Sequence, residues 1–227
     1  VLYAAGNRVL KYTNRGEAYQ VISPDLSYAD SVKVRISTQT TGGITRDATG
    51  AETYGTVVAL AESPIRKGLL LAGTDDGRTW ISRDDGGNWE ELTSRFQGVP
   101  AGTYVRRIEP SSHDANTFFV AFDGHRSGDF TPYLFMTTDG GRTFRSIASD
   151  LPTGGPDFVH VVRQDLRNPN LLFVGTDVGA YVSTDLGRHW QKFMTGLPTV
   201  PVHDLKVHLR DRELIAATRG NSIWIVD

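Results

Sequence analysis

The sequence predicts an all-β protein made of repeated four-stranded antiparallel sheets, and three observations predict it. An eight-residue pattern, Ser/Thr-x-Asp-x-Gly-x-x-Trp/Phe, occurs at Ser82, Asp84, Gly86 and Trp89, at Thr137, Asp139, Gly141 and Phe144, and at Ser183, Asp185, Gly187 and Trp190. Its Asp residues lie 55 and then 46 positions apart, a period that suits radially repeated sheets rather than one sandwich. Between the copies, apolar and β-branched runs fall into sets of four, and no long segment carries a helical period. The expected fold is a β-propeller of four-stranded antiparallel blades, with about 4–5 blades in the chain.

In order, residues 1–22 read as a partial blade with strands near 1–4, 9–12 and 19–22. Residues 23–54 read as an inter-blade insertion loop, rich in Thr, Gly, Asp and Ser, with one strand-like run at 32–36. Residues 55–92 make a blade with strands at 56–60, 69–72, 78–82 and 89–92. Residues 93–147 make the next, with strands at 104–108, 117–122, 133–137 and 144–147. Residues 148–193 make a third, with strands at 158–162, 171–174, 180–183 and 190–193. Residues 194–227 read as a partial closing blade with strands at 202–207, 213–217 and 222–226. Turn residues at 64–68, 110–116 and 165–170 punctuate the first link of each whole blade, in phase with the repeated pattern. Three whole blades and two partial ones leave sheet edges open, so the chain is expected to be part of a larger, seven-bladed propeller whose remaining blades are its partners. Closure as five blades is the competing reading.

The chemistry of the pattern accounts for its recurrence. An Asp or Asn side chain in a turn accepts from backbone N–H groups that follow it, and Gly supplies a positive φ without steric cost. The closing aromatic opens the next strand and covers the hairpin. All twelve pattern residues are therefore read as structural. A degenerate copy stands at Tyr12, Asn14, Gly16 and Tyr19. Truncating Trp190 is expected to destabilise strongly, and truncating Asp76 hardly at all.

Composition narrows the function classes. With 39% hydrophobic and 22% charged residues, the 227-residue chain can bury a substantial core. A net charge of −2 provides no field that favours nucleic acid or an anionic membrane. No apolar run approaches the ~20 residues of a membrane-spanning helix. The absence of Cys excludes disulfides and thiolate catalysis together.

In a propeller, the turns between second and third strands lie on the face opposite the repeated turns. Here they read 73–77, 122–126, 175–179 and 218–221, and they carry Asp75, Asp76, Asp123, His125, Arg126, Asp177 and Arg219. The longest, 123–131, also leads into Tyr133 and is the first choice for a ligand site. Good turn chemistry is the plainer explanation of the acids. Arg106, Arg107 and Arg163 sit on first strands and are expected to pair with Glu109, Asp157 or Asp165. His160 reads as a core histidine, and His203 and His208 lack metal-ligand spacing, so no metal and no cofactor is expected. A glycosidase needs two carboxyl groups ~5 Å apart for retention or ~6.5 to 9.5 Å for inversion, and no pair is marked by its spacing.

The repeated pattern resembles the Asp-box of the bacterial neuraminidase repeat. The stretches GGITRDATGAETYGTVVALAESP, LLLAGTDDGRTWISRDDGGNWEELT, TPYLFMTTDGGRTF, NLLFVGTDVGAYVSTDLGRHW and LIAATRGNSIWIVD look like large bacterial repeat proteins labelled glycosyl hydrolase or sortilin-like. That resemblance implies a secreted, extracellular or periplasmic protein. It implies a non-catalytic module that binds a peptide, protein or glycan at the channel rim, or else a glycoside hydrolase of the sialidase or xyloglucanase type, or a structural assembly propeller. Tyr104 and Glu109 could stand in sialidase roles, but the Arg trio of that family does not align.

Overall fold

The computed structural model describes residues 1–40, 53–193, 195–208, 210–211, 213–220 and 222–226. The chain divides into two compact units, Val1–Ile108 and Glu109–Asp227. In the first, β1 (Leu2–Ala5), β2 (Val9–Thr13) and β3 (Ala18–Val21) form a three-stranded antiparallel sheet. The next sheet is β4 (Val57–Glu62), β5 (Leu70–Thr74), β6 (Thr79–Ser82) and β7 (Glu90–Glu91), in sequence order. Strand β8 (Tyr104–Pro110) runs through the division and heads a sheet with β9 (Phe118–Asp123), β10 (Tyr133–Thr137) and β11 (Arg145–Ser146). The second unit continues with β12 (Val159–Gln164), β13 (Leu172–Thr176), β14 (Gly179–Ser183) and β15 (Gln191–Lys192). It ends in a three-stranded sheet of β16 (Val202–Val207), β17 (Leu214–Thr218) and β18 (Ile223–Val226).

The cores lie between successive sheets. In the first unit Val9, Ile22, Leu26, Val57, Leu70, Ala72 and Trp80 pack together. In the second, one cluster joins residues of β9 and β10 with residues of β12 to β14 and Trp190, and another joins Val161, Phe173 and Ala180 with Val202, Leu205, Leu214 and Ala216. The second strands of the four-stranded sheets, β5, β9 and β13, are buried along their whole length and read as nearly unbroken apolar runs. Outermost strands shrink to two residues of mostly polar type, Glu90–Glu91, Arg145–Ser146 and Gln191–Lys192. Short polar edges of this kind discourage strand addition.

Residues 23–54 differ from the expected loop. The β-branched run at 32–36 is a helix: α1 (Ser31–Arg35) begins where the Asp30 side chain accepts from the backbone N–H groups of Val32 and Lys33, and a π-turn, Ile36–Thr40, continues it. An N-cap that satisfies two orphan donors outweighs the weak strand preference of two valines. The preceding stretch packs on its own unit. Leu26 is fully buried, its carbonyl accepts from Trp80 Nε1 at 2.7 Å, and the Ser27 carbonyl accepts from Arg78 at 2.6 Å. The Arg78 guanidinium lies over the rings of Tyr28 and Trp80, 4.9 and 4.4 Å from their centroids. The rest of the insertion, 41–52, lies outside the described residues.

Candidate functional site

The repeated turns are closed by the same bonds three times. Asp84 Oδ1 accepts from Ser82 Oγ (3.0 Å) and from the backbone N–H of Asn88 (2.8 Å), while Ser82 Oγ accepts from Gly86 N–H (2.9 Å). Asp139 and Asp185 repeat this with Thr137, Gly141 and Thr143, and with Ser183, Gly187 and His189. Hydrogen bonds from the residue four positions on hold all three carboxyls below the usual range, Asn88 for Asp84, Thr143 for Asp139 and His189 for Asp185. These acids are spent on their own hairpins.

Two features of the turn exceed the sequence reading. Positive φ is required twice in succession, at Asp85 and Gly86 (62° and 90°), Gly140 and Gly141 (74° and 87°), and Leu186 and Gly187 (60° and 76°). The first of each pair donates its N–H to the link between first and second strands, Asp85 to Gly68, Gly140 to Asn116 and Leu186 to Asn170, at 2.8 to 2.9 Å. The pattern glycines also allow close packing: a Cβ on Gly86 would come within 2.6 Å of Ile22, and one on Gly187 within 2.9 Å of Ile147. Those same residues receive the closing tryptophans, since Trp89 Nε1 donates to Ile22 O (2.8 Å) and Trp190 Nε1 to Ile147 O (2.6 Å). Phe144, with no N–H, packs edge-on to Phe118 instead, at 5.6 Å.

At the opposite end of the first unit's sheets, Asp75 and Asp76 face inward. Asp75 accepts from Gly55 N–H (3.0 Å) and Thr56 N–H (2.8 Å). Asp76 is 1% exposed and accepts from Tyr28 N–H at 2.7 Å and from the Thr74 hydroxyl. The expectation that Asp76 is dispensable is therefore corrected: its carboxylate anchors the insertion segment, whose path over the turn has no local signature.

The second unit presents a different surface. Its 123–131 turn opens with a 3-10 turn, His125–Ser127, after which Gly128 takes φ of 78°. Asp123, buried, accepts from the backbone N–H of His125 (3.0 Å) and meets its ring Nδ1 at 2.6 Å, leaving the imidazole partly exposed. That ring stacks on Phe158, with centroids 4.8 Å apart and planes 17° from parallel, and the Phe130 ring lies 6.1 Å from Phe158, tilted by 45°. Although burial pulls the other way, hydrogen bonds from Thr131 and from the Tyr133 hydroxyl (2.8 Å) hold Asp129 below the usual carboxylate range. Burial and that bond push Tyr133 up. Between this turn and the link into β12 lies an open cleft of about 610 Å³, lined by Gly128, Asp129, Phe130, Thr131 and residues 153–156. Next in the chain to residues 153–156, Asp157 accepts from the Tyr181 hydroxyl, which burial pushes up to about 12. Arg126 is exposed beside the cleft turn.

Next along the unit, three side chains meet that spacing did not connect. The first strands β12 and β16 each carry a bulge, and the extra residues are His160 and His203. Their rings stack with centroids 4.2 Å apart, and Asp177, in the turn between β13 and β14, places Oδ1 3.1 Å from His160 Nε2. Gly175 permits this approach, because a Cβ there would stand 2.5 Å from the Val202 carbonyl. His160 is thus buried, as expected, but partnered by a carboxylate and a second imidazole. Arg163 pairs with Glu109 (2.5 Å) and Asp204 (3.0 Å), bearing out a salt-bridge role. Arg219 is exposed, its backbone N–H donating to Pro201 O at 3.0 Å, and Asn221 lies outside the described residues. The bulge was the missed signal, since an extra residue in a first strand shows only once the register is known.

Comparison with known proteins settles the fold. No protein-family model and no curated protein matches the chain. Among solved structures it is similar to an ancestral GH74 enzyme, at 18% identity and a TM-score of 0.61 over 99% of this chain and 29% of that one. The extracellular domain of a B. thetaiotaomicron one-component system matches at 14% identity and TM-score 0.62, over 98% of this chain and 24% of that one. YCF48 bound to D1 peptide matches at 18% identity and TM-score 0.53, over 75% of this chain and 51% of that one. The fold is that of a β-propeller. At these identities the likeness carries fold alone, and the chain spans between about a quarter and half of each of these structures. No helix among the described residues is long and apolar enough to cross a membrane.

Proposed function

We propose that this chain is a non-catalytic, extracellular propeller module that binds an extended peptide segment of a protein in the cleft beside the 123–131 turn. One observation carries the reading: an open cleft of about 610 Å³ flanked by Phe130, 45% exposed, whose neighbours Phe158 and His125 form an aromatic stack. An aromatic anchor beside a concavity with a few fixed polar groups is the usual composition of a peptide site. That a propeller can take a peptide is illustrated by YCF48, solved with a D1 peptide. A glycan is the alternative ligand, and the remaining blades of a parent propeller are further partners. The glycosidase reading is weaker, because Asp129, the carboxyl on the cleft, is held down rather than raised as a general acid requires.

A peptide-display selection on the intact chain tests this, with Phe130→Ala as the control. Selected peptides should lose at least about tenfold in affinity on Phe130→Ala, with the melting temperature unchanged. Failure to select peptides, together with cleavage of a polysaccharide that Asp123→Asn abolishes, would replace the binding reading with the hydrolase.

A further inference from the structure

The geometry points to a divalent transition-metal site formed by His160, Asp177 and His203, a feature independent of the peptide reading. One ligand atom from each of the three side chains lies within 4.8 Å of the other two. Two imidazoles and a carboxylate are the ligand set preferred by Zn²⁺, Cu²⁺ or Ni²⁺ over Mg²⁺ or Ca²⁺. With metal–ligand bonds of about 2.0 to 2.2 Å, ligands sharing a tetrahedral ion stand roughly 3.4 Å apart. His160 Nε2 and Asp177 Oδ1, at 3.1 Å, are already near that spacing.

Both histidines are the extra residue of a first-strand bulge, a device that re-aims a side chain at functional sites, whereas the same bulge in β4 carries Val58. The rings are 22° from parallel, so their in-plane lone pairs do not yet converge. His160 is held in the core at 6% exposure, and His203 is only partly buried, so His203 is the ring that turns to close on the ion. Three protein ligands leave a fourth position for water or an incoming group.

Calorimetric titration of tag-free chain with Zn²⁺, and absorption spectroscopy with Co²⁺, test the site. One equivalent of Zn²⁺ should bind and raise the melting temperature, and Co²⁺ should give visible bands of tetrahedral type. His203→Gln and Asp177→Asn should each weaken Zn²⁺ binding at least tenfold while keeping the metal-free melting temperature within a few degrees. Should either variant misfold, the other decides. His208→Gln, in the more open group of His208, Asp211 and Glu213, should leave the affinity unchanged. No binding below about 1 mM Zn²⁺, binding indifferent to both first variants, or binding lost with His208→Gln would overturn the proposal.

Discussion

Asp75 and Asp177 occupy the same place in their sheets, third in a Gly-Thr-Asp turn after the second strand, yet they meet different partners. Asp75 accepts from the backbone of Gly55 and Thr56, tying the turn to the start of β4. Asp177 reaches the ring of His160 and keeps about a third of its side chain in solvent. The difference arises one strand away, where the bulge residue is Val58 in β4 and His160 in β12. A valine offers the carboxylate nothing, and an imidazole offers a donor. Turn chemistry therefore sets where an acid stands, and the neighbouring first strand sets what it can do.

Truncations should grade this contrast. The largest effect belongs to the repeated-turn end, where Trp190→Ala removes a ring 7% exposed and its bond to Ile147, and should cost about 3–5 kcal/mol in denaturant unfolding. Asp76→Ala should follow at about 1–3 kcal/mol, because Tyr28 N–H loses its acceptor, with Asp75→Ala in the same range. Asp177→Ala should cost less than about 1 kcal/mol. Equal costs for Asp75 and Asp177 would break the comparison.

Acidity offers a finer test. Asp139 and Asp185 are held below their ordinary value of 3.8, so their contribution is complete above it and fades as pH falls through the depressed folded-state values. The Asp185 bond raises His189 above 6.5, so its contribution is complete below that value and fades as pH rises through the raised one. A proton NMR titration should show His189 above 6.5 in the native chain and back near it in Asp185→Asn. An unmoved His189 would mean that the turn does not hold its ring.

Much of the fold was legible because its signals are local. Turn acids, their glycines and the apolar second strands need only neighbours in sequence, and all three four-stranded sheets lie where those signals put them. What escaped depends on distant chain. Val32 and Val34 look like strand until Asp30 caps them, Asp76 looks like rim until residues 23–28 cover it, and His160 and His203 are 43 positions apart until two bulges stack them. The long 123–131 turn stands out in the sequence by its length and residue types. The stack of His125 on Phe158, which shapes it, comes from the next sheet.

Affinity for a selected peptide, measured in parallel for Phe130→Ala and Asp139→Ala at a temperature where both are folded, tests the division of labour most directly. The account predicts that Phe130→Ala loses binding at full stability, while Asp139→Ala melts earlier and binds as the parent does. Loss of binding on removing Asp139, with Phe130→Ala indistinguishable from the parent, would contradict it.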